Sequence, residues 1–172
     1  LELSAKHLEI LKQAAPKVAH VAVLHDPRSS GPALQATRAA ARTLGVRLRL
    51  FEVSAPDQVA AAVATAASAG CDALLAISSP VAGNAIERLA AEAADRRLPA
   101  IYARGEFVDA GGLLSYGPDF ATSYRRAAAY VDKILKGATP ASLPVEQPTR
   151  FELAVNLKAA RALQLRIAPS LL

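Results

Sequence analysis

The chain is poor in several residue types, and each shortage closes off a class of function. Methionine and tryptophan are absent, aromatic residues make up 5% of 172 positions, and Cys71 is the only cysteine. A lone thiol permits neither an internal disulfide nor a cysteine-rich metal site, and the helix-to-strand junction where it stands suits burial of a small side chain. No apolar run approaches the roughly 18 residues that a membrane span needs. Leu1-Glu2-Leu3-Ser4 leads straight into a charged amphipathic pattern and not into a signal peptide. With no initiator methionine either, the sequence is read as a piece of a longer chain, with any export signal outside it. The phosphate-binding loop and the G-x-G-x-x-G turn of nucleotide sites are missing, as is the G-x-S-x-G elbow of hydrolases. The net charge of +5 is scattered over separate helices, without a basic run interleaved with aromatics, so no nucleic-acid partner is expected. His7 and His20 lack ligand-type neighbours, and His25-Asp26 are adjacent residues that point apart on extended backbone. No metal, cofactor or catalysis is expected.

What is present is a repeat. Apolar runs at His20–Leu24, Val46–Phe51, Ala73–Ile77 and Pro99–Tyr102 start about 26 residues apart, the length of one strand-helix unit with short loops. Between them the apolar positions switch to helical spacing: Leu34, Thr37, Ala41 and Leu44, then Val59, Val63 and Ala66. Gly45 and Gly70 stand just past two of the helices, where a left-handed residue closes the last turn. Ser54-Ala55-Pro56-Asp57 has the order of a helix start. Near-continuous apolar strands are expected when helices cover both faces of a sheet. The fold class is α/β, a doubly wound parallel sheet with flanking helices. Past Tyr102 the pattern changes. A short run Leu113–Tyr116 follows two glycines. A helix then carries Tyr124, Ala127, Ala128, Val131, Ile134 and Leu135 on one face and ends at Gly137. A proline-bearing connector spans Thr139 to Pro148. An alternating strand, Phe151–Val155, and a helix from Leu157 to about Gln164 close the chain.

The stretch Leu98-Pro99-Ala100-Ile101-Tyr102, the segment Gly111-Gly112-Leu113-Leu114-Ser115-Tyr116-Gly117-Pro118-Asp119 and the run Val131-Asp132-Lys133-Ile134-Leu135-Lys136-Gly137 resemble the ABC transporter substrate-binding protein family related to tryptophan and tyrosine binders. So do Leu143-Pro144-Val145-Glu146-Gln147-Pro148 and, upstream, Val21-Ala22-Val23-Leu24 with Asp26-Pro27. The resemblance covers essentially the whole chain. It implies a type I periplasmic-binding-protein architecture, two lobes closing on a solute, of which this chain holds the C-terminal portion. Residues 1–112 would form the second lobe, 113–138 would cross to the first, and 139–172 would supply the connector and the returning strand and helix. A small-molecule solute such as an amino acid, a membrane permease as partner, and a periplasmic or extracytoplasmic location follow from the resemblance, with anchoring through upstream residues an open alternative. The other functional reading is a ligand-sensing regulatory module of the same fold. The apolar face of the helix Tyr124–Leu135 should belong against the first lobe, and in this piece alone it should promote self-association into a homodimer.

Ligands of open α/β sheets sit beyond the carboxyl ends of the strands. Three loops qualify. Asp26, Ser29 and Ser30 follow the first strand, and Ser78, Ser79 and Asn84 follow the third. Arg104 and Glu106 follow the fourth, the arginine suited to a carboxylate and the glutamate to an amine. Tyr102 could stack on an apolar ligand, or serve as an ordinary core tyrosine. Ser115 lies near the expected cleft.

Overall fold

The computed structural model describes residues 2–148 and 150–172. In chain order the elements are α1 (Glu2–Ala14), β1 (His20–His25), α2 (Gly31–Leu44), β2 (Arg47–Glu52), α3 (Val59–Ser68), β3 (Ala73–Ala76), α4 (Pro80–Gly83), α5 (Ile86–Asp95), β4 (Ala100–Tyr102), α6 (Glu106–Asp109), β5 (Leu114–Pro118), α7 (Phe120–Leu135), β6 (Phe151–Val155) and α8 (Leu157–Ala162). The strands form one sheet in the order β2-β1-β3-β4-β5-β6. Five run parallel. β6 is antiparallel to β5, with Pro118 opposite Phe151 and Leu114 opposite Val155, because the chain returns to the sheet from the end at which it left.

Alternation along the strands sorts their side chains into two cores. Val21, Val23, Leu75, Ile101 and Leu114 pack on α1, α2 and α8. Ala22, Leu24, Leu74, Ala76 and Ala100 pack on α3, α5 and α6. α1 joins its core through Leu8, Leu11 and Ala14 at steps of three. α3 buries Val59, Val63 and Ala66, as their spacing predicts. Each fully buried Leu, Val or Ile stabilises the fold by roughly 1.5–3 kcal/mol. Gly45 (φ 64°) closes α2 in the left-handed conformation expected of it. β2 departs from the pattern of fully covered strands. As an edge strand it leaves Arg47, Arg49 and Glu52 exposed, and the Arg49 guanidinium lies 5.9 Å from the Phe51 ring centre.

The sheet itself runs on to Pro118, because Leu114 and Ser115 are buried between β4 and β6. What stands off the sheet is α7 with the connector after it. No residue of α7 is buried; Tyr124 is 74% exposed, Val131 55% and Leu135 82%. The connector folds back along α7. Tyr130 donates its hydroxyl to the Pro144 carbonyl (2.7 Å), and Arg126 pairs with Glu146. The outward and return passes are tied together where the Asp119 N–H donates to the Arg150 carbonyl at 3.1 Å.

Candidate functional site

Parallel strands deliver their carboxyl ends to one rim, and the order β2-β1-β3 reverses direction between β1 and β3, where a crevice opens in this class of sheet. The loops after β1, β3 and β4 all leave the sheet from that rim.

After β1, Asp26 turns inward. Its carboxylate accepts the Arg28 N–H (3.0 Å) and two guanidinium bonds from Arg28 (3.0 and 2.9 Å), while its own N–H donates to Ser30 Oγ at 3.2 Å. These bonds, led by those from the Arg28 side chain, hold the Asp26 carboxyl below the usual carboxylate range. Arg28 also donates to the Ser54 carbonyl (3.1 Å), tying the loop to the end of β2. Asp26 and Ser30 are therefore structural supports of the rim, whereas Ser29 is exposed. His25 is buried, and neither ring nitrogen has a hydrogen-bond partner, so it forms no dyad with Asp26.

After β3, Ser78 is exposed, and Ser79 caps the short α4 by accepting the Ala82 N–H at 3.1 Å, which leaves its hydroxyl hydrogen free to donate. After β4, Arg104 pairs with Glu106 through bonds of 2.5 and 3.4 Å. The pair lowers the Glu106 carboxyl from its ordinary value and raises the Arg104 guanidinium. A small crease collects Ser78, Ser79 and Arg104 together. The Phe120 ring, at the start of α7, lies 5.4 Å from the Arg104 guanidinium. Two hydroxyls and a guanidinium suit a carboxylate; the neighbouring Glu106 suits an ammonium.

Three sequence candidates lie elsewhere. Tyr102 is fully buried, stacked on Phe107 at 4.3 Å, so it faces the core and not the rim. Ser115 is buried within β5. Asn84 lines an open groove with Pro56, Asp57 and Arg88, next to Gly83, which borders both that groove and the crease holding Arg104. Sequence reasoning missed Arg28, whose role needs the loop's closure onto Asp26, and Phe120. Nothing in the sequence pattern singled out Phe120. At the junction of β5 and α7, Asp119 caps the helix by accepting the Thr122 N–H (3.0 Å). Gly117 is required there, since a Cβ would stand 1.9 Å from the Ala103 carbonyl oxygen. On α1, His7 donates from Nε2 to the Tyr116 carbonyl (2.5 Å), and burial pushes its imidazole below the ordinary value.

The family of ABC transporter substrate binding proteins matches residues 1–172. The chain belongs to that family. Its fold is shared with a conserved domain protein from Vibrio cholerae (25% identity, TM-score 0.89), over 98% of this chain and 57% of that one. It is shared equally with a domain from Streptococcus pneumonia in complex with L-Trp (22% identity, TM-score 0.89; 98% and 58% of the two chains). A ligand-free, open substrate-binding protein with adhesive properties from Clostridium difficile matches at 20% identity and a TM-score of 0.70, over 95% of this chain and 56% of that one. The chain thus spans less than two thirds of the solved relatives. No protein of curated function matches it. Within the family the sheet is one lobe of a type I periplasmic binding protein, and the loops after β1, β3 and β4 leave it at the same rim.

Proposed function

We propose that this chain supplies one lobe of the solute-binding component of an ABC importer, which captures a small zwitterion such as an amino acid and delivers it to a membrane permease outside the cytoplasm. The observation that most supports this is the arrangement at the rim. Arg104, Glu106, Ser78 and Ser79 converge there, and α7 leaves the sheet from the same end with its apolar face uncovered. A second lobe seated on α7 would stand over the rim and complete a cleft. Residues 1–118 and 151–172 form the lobe in this reading, and 119–150 belong to the other side of the hinge. Ligand would bridge the lobes, its carboxylate exchanging with Glu106 for Arg104. Closure would follow from tighter binding in the closed state. The role is binding and not catalysis. Among the described residues no helix is long and apolar enough to cross a membrane.

A thermal-shift screen of the two-lobed protein against amino acids and small organic acids tests the proposal. One compound at a hundredfold excess over its Kd should add about 2.7 kcal/mol of stability. A flat response across the panel would remove the amino-acid assignment.

A further inference from the structure

Phe120 is the first residue of α7, directly after the helix cap Asp119, and its ring lies 5.4 Å from the Arg104 guanidinium carbon. The two partners are anchored to different parts of the molecule. The backbone that carries Arg104 is fixed to the sheet, because the Ala103 carbonyl packs on Gly117 of β5 so closely that no Cβ would fit. Phe120 instead moves with α7. The other side-chain bonds of that helix stay within it or go to the connector, as Arg126 does to Glu146 and Tyr130 to the Pro144 carbonyl. Phe120, Tyr124, Ala127 and Val131 follow steps of four, three and four, so the ring sits at the rim end of the uncovered apolar face. On the guanidinium, Nε and Nη2 donate to Glu106 (3.4 and 2.5 Å). Nη1 lies over Gly83, at a distance where an added Cβ would come to 3.5 Å. Glu106 therefore holds one edge of Arg104, and the Phe120 ring is what restrains its swing about that edge.

We propose that Phe120 is a positioning residue that ties Arg104 to the hinge: its ring holds the guanidinium in one orientation of α7 and releases it in another. This rests on the reading that α7 lies across the hinge from Arg104 and that Arg104 meets the ligand. The contact has little slack, since 5.4 Å is close to the limit of about 6 Å within which a ring attracts a cation. A small turn of α7 breaks it. A contact made in one hinge state and lost in the other adds its whole free energy to the balance between them. At a partly exposed site that is a factor of about two to five. By linkage, a ligand that fixes Arg104 under the ring favours the same hinge state. Leucine at position 120 would keep the apolar bulk and lose the π face, whereas tyrosine would keep both.

Pulsed electron-spin distance measurement on the ligand-free, two-lobed protein tests the proposal, with nitroxides on Gln35→Cys of α2 and Lys136→Cys after α7 in a Cys71→Ala background. Two distance populations are expected, one of them matching the separation in this structure. Phe120→Leu and Arg104→Gln should each lower the share of that population relative to the other about two- to fivefold. The double substitution should lower it no further, and Phe120→Tyr should keep the parent's ratio. A single distance in the parent overturns the proposal, as does an unmoved ratio in Phe120→Leu or a double variant in which the two effects multiply. Arg104→Gln also separates this proposal from the binding role of the rim. If that variant loses affinity for the amino acid with the largest thermal shift while its distances stay unchanged, the coupling is wrong and the binding role stands. If the distances move and the affinity does not, the hinge contact stands and the ligand is held by other residues.

Discussion

Gly117 shows how tightly the end of β5 is built. A methyl group there would overlap the Ala103 carbonyl, so Gly117→Ala should cost about 3 kcal/mol, at the upper end of overpacking effects. Gly105, at ordinary helical angles (φ −59°) with open space around it, should accept alanine within about 0.5 kcal/mol. Paired urea denaturation curves check both, and equal midpoints would refute the close contact. Acid sensitivity also belongs at this scale. Burial depresses the His7 imidazole in the folded chain, so the unfolded chain binds the proton more strongly and stability is lost as pH falls below about 6.5. Asp26, depressed by Arg28, acts with the same sign but lower: its contribution is complete above about pH 4 and fades below it. Melting temperatures measured from pH 8 to pH 3 should fall in two steps. His7→Leu should remove the upper step, and Asp26→Asn should flatten the lower one.

Among the elements, α7 is the exception. Its periodicity reads from the sequence like that of any amphipathic helix, yet its apolar face meets no core of this chain. If that face is built for a partner lobe, the chain alone should self-associate through it. Multi-angle light scattering should give a mass above 17.9 kDa that rises with concentration, and Val131→Glu with Ile134→Glu should return it to the monomer. A monomer at every concentration would speak against the assignment. The strand-helix repeat was legible because burial on both faces writes itself as uninterrupted apolar runs, as in Ala73–Ala76. The direction of β6 was not, since alternation in Phe151–Val155 records which face is covered and says nothing of the neighbour's polarity. The extent of the sheet was also blurred. Leu113–Tyr116 reads as a strand, but only its place between β4 and β6 shows that the sheet continues to Pro118.

For the molecule as a whole, loop chemistry was legible and loop geometry was not. Ser78, Ser79, Arg104 and Glu106 are polar residues directly after strands, and topology alone sends them to one rim. Tyr102 is one residue too early in β4: alternation turns its ring into the core, where it stacks on Phe107. Asp26 has the right place but is consumed by Arg28, a bond that depends on how the loop closes. Whether Arg104 holds a zwitterionic ligand on this rim is decided by calorimetric titration of the two-lobed protein with the ligand found by thermal shift, beside its Arg104→Gln variant. One saturable site is expected, its affinity falling about 30-fold or more in the variant, the loss that follows when a charge pair buried by lobe closure loses one partner. Unchanged affinity in Arg104→Gln would contradict it.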